Sequence, residues 1–209
     1  MNGHLKDSIT DTCFVFRGYN VTNLGKTPEL LASPIYGPMV AKRLEEASEI
    51  ASEETKQSID LVERVRNRQE TNIATFPDAV ALILATEIAQ IDLLQEFHSI
   101  RYADAKLGAG YSLGEIAANI CGGVMSLSDA IRIPIALAAD CAELGADTRM
   151  GIVFSRTGEL STEQIERLCV EITLEKQGTI AISAYLSPNT LLLLGQGNTI
   201  DRFNALRKE

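Results

Sequence analysis

The sequence predicts an α/β protein in two parts: a larger part built around a short parallel sheet and a smaller part with the element order β-α-β-β-α. Three observations predict this fold class. A short apolar run (CFVF, 13–16) and a second strand candidate (YADAKLGAG, 102–110) each lead into a turn that contains glycine. Long stretches rich in Ala, Leu and Glu lie between them and favour helix. After residue 150 the chain alternates short apolar strands with two amphipathic helices.

The bulk composition limits the classes of function. The chain has 209 residues, of which 45% are hydrophobic, which is enough for one sizeable domain with a smaller appendage. Its formal net charge of −9 argues against nucleic acid as a partner, because phosphate backbones would be repelled. No apolar run is long enough to span a membrane, and the polar N-terminus does not resemble a signal peptide. We therefore expect a cytoplasmic protein.

The four cysteines are widely spaced and form neither a CxxC pair nor a Cys/His cluster with the spacing of metal ligands. Their neighbours in the sequence are apolar, so we expect reduced thiols in the core, as is usual for a cytosolic protein. No metal site and no cofactor are predicted.

The larger part is predicted to be mostly helical around its two strands. The segment 77–97 opens with Pro-Asp, which favours a helix start, and is apolar enough to be buried on several sides. The segment that follows Ser112 has small and apolar residues at helical spacing and is stopped by two glycines. The predicted elements are a strand at 13–16, a loop at 18–25, helices at 38–67 and 77–97, a weak strand at 102–110, a helix at 112–121, and a helix at 127–145 that Pro134 bends or that begins close to Pro134.

The smaller part is predicted to be an incomplete ferredoxin-like domain. Its pattern is a strand, a helix, two strands and a helix, which is a split βαβ arrangement without its final strand. The segments that carry it are 151–155, 161–176, 179–187, 189–195 and 199–208. We therefore divide the chain into a polar tail (1–12), a larger α/β domain (13–147) and a ferredoxin-like domain (148–209).

Residues 110–114 read GYSLG, a G-x-S-x-G pattern between a strand candidate and a helix. In a nucleophile elbow the serine occupies a strained turn, and its neighbours must be small because the strand and the helix lie close together. The N–H of the next residue then lies at a helix N-terminus, where it can donate to an oxyanion. The pattern alone also fits an ordinary loop serine, and both interpretations remain open on this ground.

A longer stretch carries a family resemblance. GYSLGEIAANICGGVMSLSDAIRI resembles the GHSLGE segment of malonyl-CoA:acyl-carrier-protein transacylases and of the acyltransferase domains of fatty-acid and polyketide synthases. FVFRGYN resembles that family's FVFPGQG loop, and the region from MGIVFSRTG onward is similar to its small ferredoxin-like subdomain. The resemblance covers nearly the whole chain from Cys13 and implies an acyltransferase-like α/β fold with a nucleophile elbow.

The resemblance implies a role for several residues. Ser112 would be the acyl-accepting nucleophile, and the backbone N–H groups of Leu113 and Tyr19 would form the oxyanion hole. Gly18, Tyr111 and Leu137 would lie in the substrate-binding region, whereas Glu115 belongs to the motif without being a catalytic base. The implied partners are acyl-CoA and acyl-carrier protein, and the implied reaction is acyl transfer between their thioesters in fatty-acid or polyketide biosynthesis.

Substitutions at three places depart from the family pattern. Tyr111 replaces a histidine before the serine, and Tyr19-Asn20 replaces Gln-Gly in the loop. Leu137 stands where members that use malonyl groups have an arginine for the substrate carboxylate, although the preceding Arg132 is kept. Leucine cannot make a bidentate contact with a carboxylate, and a buried carboxylate without a partner costs several kcal/mol. We therefore expect an uncharged acyl group such as acetyl, and we expect Arg132 to be a surface residue.

The general base is the largest departure. The family's base histidine follows the final strand of the small subdomain, which this sequence lacks, and the two histidines are His4 in the tail and His98 at a helix end. Three alternatives follow: a fragment of a longer acyltransferase, a subunit whose small subdomain is completed by a second chain, or a non-catalytic binding protein. Hydrolysis of acyl thioesters is a variant of the enzyme hypothesis, and an α/β-hydrolase esterase is disfavoured because it needs more strands and a downstream histidine.

Overall fold

The computed structural model describes residues 3–20 and 22–207, with side chains from Leu5 onward. The side chain of His4, in the predicted polar tail, therefore lies outside the described residues. The chain divides into two compact units, Met1–Ala139 and Asp140–Glu209. The proposed domain boundary after residue 147 stays a prediction.

The first unit contains two strands and a series of helices. Its elements are α1 (Gly3–Asp7), β1 (Cys13–Phe16), α2 (Thr27–Ala32), α3 (Gly37–Thr55), α4 (Leu61–Arg66), α5 (Phe76–His98), β2 (Leu107–Gly110), α6 (Leu113–Cys121) and α7 (Leu127–Ala136), and α8 (Ala138–Ala146) begins at its end. Short 3-10 turns occur at Ile9–Asp11, Ile73–Thr75 and Tyr102–Asp104. The predicted helices between the strands are therefore present.

Strands β1 and β2 pair in parallel, in a register that places Cys13 opposite Leu107 and Phe16 opposite Gly110. This confirms the short parallel sheet that the sequence predicts. The second strand is shorter than the predicted segment 102–110, because its first residues form a 3-10 turn. Both strands end at the same edge of the sheet, so the loops after Phe16 and after Gly110 start side by side.

Helix α5 is the centre of the first unit. Every residue from Ala79 to Ile88 is buried, and α5 packs against α3, α6 and α7. A helix that is apolar on all sides is stable only inside a core. The prediction that this helix is buried on several sides is confirmed.

Two predicted helices are each broken in two. The segment 38–67 forms α3 and α4, because Lys56 adopts a left-handed conformation (φ 58°) that ends α3, and Asp60 caps the start of α4. The segment 127–145 forms α7 and α8, which are separated at Leu137. Pro134 lies inside α7 and removes one helical hydrogen bond three residues before the break.

The second unit contains an antiparallel sheet of three strands, in the order β3-β5-β4, and two helices. Its elements are β3 (Thr148–Phe154), α9 (Thr162–Leu174), β4 (Ile180–Ser187), β5 (Thr190–Gln196) and α10 (Thr199–Leu206). Val153, Leu191 and Leu193 are buried in one cluster with apolar residues of both helices. The predicted β-α-β-β-α order is confirmed.

The expectation that all four cysteines are core thiols is wrong. All four are free, but Cys13 and Cys141 are exposed, Cys121 is half-buried, and only Cys169 is buried. Cys13 lies on the same side of β1 as Val15, which is 75% exposed, because alternate residues of a strand share a face. Apolar neighbours in the sequence therefore did not predict burial here.

Among the described residues, no helix combines the length and the hydrophobicity that crossing a membrane requires.

Candidate active site

The turn between β2 and α6 has the backbone geometry of a strained elbow. Ser112 adopts φ 57° and ψ −122°, in the left-handed half of the φ range that residues with a Cβ rarely occupy. Its side chain makes no capping hydrogen bond to α6, although serine before a helix usually does. Ser112 is exposed, so its hydroxyl is held at the surface of the first unit and is not used to start the helix.

The two glycines of the GYSLG pattern lie where backbone segments touch. A Cβ at Gly110 would overlap the carbonyl group of Gly114, and a Cβ at Gly114 would overlap the carbonyl group of Phe16. The start of α6 thus packs directly on the ends of both strands. Backbone hydrogen bonds fix the arrangement, since the Tyr111 N–H donates to the Phe16 carbonyl at 3.2 Å and the Gly114 N–H to the Tyr111 carbonyl at 3.0 Å.

The loop after β1 reaches the elbow at Gly18. A Cβ built there would lie 2.7 Å from the carbonyl oxygen of Tyr111, 2.9 Å from the Cβ of Ser112 and 3.5 Å from its Oγ. The next residue, Tyr19, packs its ring edge-on against Phe76, with the centroids 5.6 Å apart. The two loops that the sequence predicts to carry the site therefore meet.

The backbone N–H of Leu113 is the first of α6 and has no acceptor within the helix. The helix dipole makes this end partially positive, so the N–H can stabilise an oxygen anion near Ser112. The structure thus brings Gly18, Ser112 and Leu113 together. The role of the Tyr19 N–H as the second oxyanion donor stays a prediction.

The loop after β1 is anchored by groups that were not predicted from the sequence. The Arg17 N–H donates to Oε1 of Glu87 on α5 at 3.0 Å, and the Arg17 guanidinium donates to the carbonyl oxygens of Thr22 and Asn23 at 2.9 and 2.6 Å. Oε2 of Glu70 accepts the Asn23 N–H at 2.7 Å. The sequence did carry a signal for Glu87, which is the one charged residue in the apolar stretch 79–91.

Glu87 is electrostatically unusual. It is 9% exposed, and its Oε2 has no hydrogen-bond partner among the described residues. Burial raises the pKa of the carboxyl to about 7, although the hydrogen bond from Arg17 and the charge of Arg17 oppose the rise. Burial likewise raises the pKa of the Cys121 thiol to about 12, so this cysteine stays neutral and is a poor nucleophile.

Tyr111 directly precedes Ser112, whereas Leu137 lies at the end of α7. Tyr111 and Leu137 are 52% and 53% exposed, and the placement of Leu137 in a substrate pocket stays a prediction. Arg132 forms ion pairs with Glu53 at 2.6 Å and with Glu54 at 3.2 Å, in agreement with its expected place at the surface. His98 ends α5, where its Nε2 lies 3.2 Å from the hydroxyl of Tyr36. Among the described residues there is no group of three or more side chains that could hold a metal ion.

Comparison with known sequences relates the chain to fungal polyketide synthases, although no protein-family model matches it. The highly reducing polyketide synthase otaA of Aspergillus carbonarius is 27% identical over 191 residues, which are 90% of this chain and 7% of that protein. The lovastatin nonaketide synthase mokA of Monascus pilosus is 25% identical over 196 residues, which are 93% of this chain and 6% of that protein. The chain thus spans a small part of these relatives.

Comparison with solved structures identifies the fold. The acyltransferase domain from module 8 of the salinomycin polyketide synthase aligns with a TM-score of 0.71 at 21% identity, over 96% of this chain and 44% of that one. FabD from Acinetobacter baumannii aligns with a TM-score of 0.69 at 22% identity, over 96% and 59%. PlMCAT, a malonyl-transacylase in complex with its type II polyketide synthase acyl-carrier protein AntF, aligns with a TM-score of 0.63 at 24% identity, over 94% and 58%.

The fold is therefore that of the acyltransferase domains, and the chain spans about half the length of the solved structures that it matches. This confirms the acyltransferase-like fold that the sequence predicts.

Proposed function

We propose that this chain is an acyltransferase, or part of one, that moves an acyl group between CoA and acyl-carrier-protein thioesters through an acyl-Ser112 intermediate. The observation that carries the proposal is the backbone of Ser112, which holds an exposed hydroxyl at φ 57° between two strand ends and a helix N-terminus. Strain of this kind costs about 1–3 kcal/mol and is typical of functional sites. The likeness to acyltransferase domains and polyketide synthases supports the reaction class.

In the proposed reaction the Ser112 oxygen attacks the thioester carbonyl carbon and loses its proton to a general base. The tetrahedral oxyanion is stabilised by the Leu113 N–H and the Tyr19 N–H, the carbon–sulfur bond breaks, and the thiol leaves with the proton. A second thiol reverses the steps and takes the acyl group. We propose that the base is a histidine other than His4 or His98, supplied by a longer form of the chain or by a second chain that completes the small subdomain.

The proposed acyl group is uncharged. Leu137 cannot pair with a carboxylate, so the carboxylate of a malonyl group would have no charged partner at this position. Acyl-carrier protein is the proposed partner in thioester exchange, which is supported by the complex of PlMCAT with AntF. We further propose a cytoplasmic location, with no nucleic acid or membrane partner.

The test is covalent labelling. The protein, in the longer form or with the second chain that supplies the base histidine, is incubated with acetyl-CoA, butyryl-CoA and malonyl-CoA, and intact mass is measured for wild type and for Ser112→Ala. We expect acetyl and butyryl adducts on the wild type and none on the variant. Adducts that persist in Ser112→Ala would refute the acyl-serine intermediate, and a malonyl adduct alone would refute the argument from Leu137.

A non-catalytic role is the second candidate, and one observation favours it. Strand β3 lies at an edge of its sheet, with β5 on one side and no strand on the other among the described residues. Such an edge can accept a strand from another chain. If none of the thioesters gives an adduct, the binding role is favoured. Steady release of free acid from the thioesters would instead favour a hydrolase.

A further inference from the structure

The loop that carries Gly18 and Tyr19 is attached to the core of the first unit through Glu87. The Glu87 side chain projects from the buried helix α5, and its Oε1 lies 3.0 Å from the Arg17 nitrogen. Gly18 follows directly in the chain and lies against the Ser112 side chain. One buried carboxyl thus holds the backbone one residue before the contact between the loop and the elbow.

The bonding of this carboxyl is incomplete, which makes it sensitive to protonation. Its second oxygen, Oε2, is buried and has no hydrogen-bond partner among the described residues. Buried polar atoms in folded proteins are nearly always hydrogen-bonded, so an exception calls for an explanation. An ionised carboxylate accepts a stronger hydrogen bond from an N–H than a neutral carboxyl does. The hold on the loop therefore depends on the charge of Glu87.

The groups around Glu87 leave its charge adjustable. The positive charge of Arg17 lowers the Glu87 pKa. The Arg17 guanidinium, however, donates its hydrogen bonds to the carbonyl oxygens of Thr22 and Asn23. Lys26 lines the same cavity of about 190 Å³ as Glu87. On α6, the thiol of Cys121 interacts electrostatically with Glu87 and stays neutral. None of these groups forms a direct side-chain ion pair with the carboxylate in the part of the chain described.

We propose that Glu87 is a positioning residue for the loop at the elbow, and that protonation of its carboxyl loosens the hold on Gly18 and Tyr19 beside Ser112. The inference rests on the proposed function, because it makes the second oxyanion donor dependent on pH. Ionised Glu87 holds the loop firmly, and protonated Glu87 holds it weakly. The change falls near neutral pH, since burial raises the pKa of this carboxyl to about 7.

The first arm of the test does not require activity. The backbone amide resonances of Arg17 and Gly18 are followed by NMR from pH 5 to pH 9 in wild type, Glu87→Gln and Glu96→Gln. We expect both resonances to titrate with a midpoint near 7 in the wild type and in Glu96→Gln, an exposed position on the same helix, and to stay constant in Glu87→Gln. Amides that do not titrate in the wild type, or that still titrate in Glu87→Gln, would overturn the inference.

The second arm measures the rate of Ser112 acylation by acetyl-CoA in the same variants, with the base histidine supplied as in the labelling test. The glutamine side chain keeps an acceptor for the Arg17 N–H without a charge, so we expect Glu87→Gln to match the wild type below pH 6 and to be roughly fivefold slower above pH 8. Glu87→Ala lacks any acceptor and should be slower at every pH. Equal rates of wild type and Glu87→Gln across the range would refute the coupling to catalysis.

The two arms separate the inference from the proposed function. If no acylation occurs, the proposed function fails, and the amide titration alone decides whether Glu87 controls the loop. If acylation occurs while the amides of Arg17 and Gly18 do not respond to pH, the proposed function stands and the inference fails.

Discussion

At the scale of single residues, the site depends on positions where the chain has no room for side chains. Ser112 has a positive φ, and Gly18, Gly110 and Gly114 each lie against the backbone or side chain of a neighbouring segment. These contacts hold the serine in a conformation that it would not adopt alone. The elbow is therefore stabilised by close packing of backbone on backbone, and a single methyl group should disturb it.

Gly114→Ala tests this packing. The added methyl would collide with the Phe16 carbonyl, and because both partners are backbone, the strand or the helix must move. We expect a loss of about 3 kcal/mol in the free energy of unfolding, measured by urea denaturation. Gly158→Ala is the control, since a Cβ there has no neighbour within 4 Å. A loss below 0.5 kcal/mol for Gly114→Ala would contradict the close approach.

Leu137→Arg tests the expected acyl preference. An arginine at this position could pair with a substrate carboxylate through two parallel hydrogen bonds. We expect the ratio of malonyl to acetyl adduct on Ser112 to rise about tenfold, as measured by intact mass. Leu137→Lys is the matched control, because it carries the charge without the planar fork and should raise the ratio less. An unchanged ratio in both variants would contradict the proposed place of Leu137 in the substrate pocket.

At the scale of elements, two helices begin where capping residues and proline in the sequence favour a helix start. α4 begins after Asp60, whose Oδ1 accepts the Glu63 N–H at 2.8 Å. α5 begins with Phe76-Pro77, and proline is favoured in the first helical turn. The break between α3 and α4 was not predicted, because Lys56 adopts a left-handed conformation that its sequence context does not announce.

Asp60→Ala should weaken α4 through its first turn. Loss of the cap leaves the Glu63 N–H unsatisfied and costs about 1 kcal/mol in the free energy of unfolding of the first unit. Asp60→Asn should be nearly neutral, since its side-chain oxygen can accept the same hydrogen bond. Chemical denaturation of the two variants in parallel checks the expectation, and equal losses would show that charge, and not the cap, stabilises the helix.

At the scale of the whole molecule, each unit has its own hydrophobic core. The first core surrounds α5, and the second lies between the β3-β5-β4 sheet and the helices α9 and α10. Units with separate cores can unfold in separate transitions. Most of the ion pairs are partly exposed to solvent and therefore contribute little to stability. The buried Glu87, in contrast, should make the stability of the first unit depend on pH.

Glu87 should destabilise the first unit as the pH rises. Its folded pKa of about 7 lies above the ordinary value of 4.5, because burial disfavours the charged carboxylate. The contribution of Glu87 to the free energy of unfolding is therefore fully present below pH 4.5 and is lost as the pH rises through 7. The largest difference corresponds to about 3 kcal/mol. We therefore expect Glu87→Gln to gain stability over the wild type at pH 8 relative to pH 5, as measured by urea denaturation. Glu96→Gln should show no such gain, and a gain of equal size there would point to net charge instead.

The sequence by itself determined the order of elements, the buried α5 and the GYSLG elbow, because periodicity, turn residues and small side chains act over a few neighbouring positions. Only the tertiary structure decided what holds the site together. The Arg17–Glu87 hydrogen bond joins residues 70 positions apart, and the exposure of Cys13 depends on which elements cover its strand. Such contacts are set by the packing of distant segments, for which one sequence carries no local pattern.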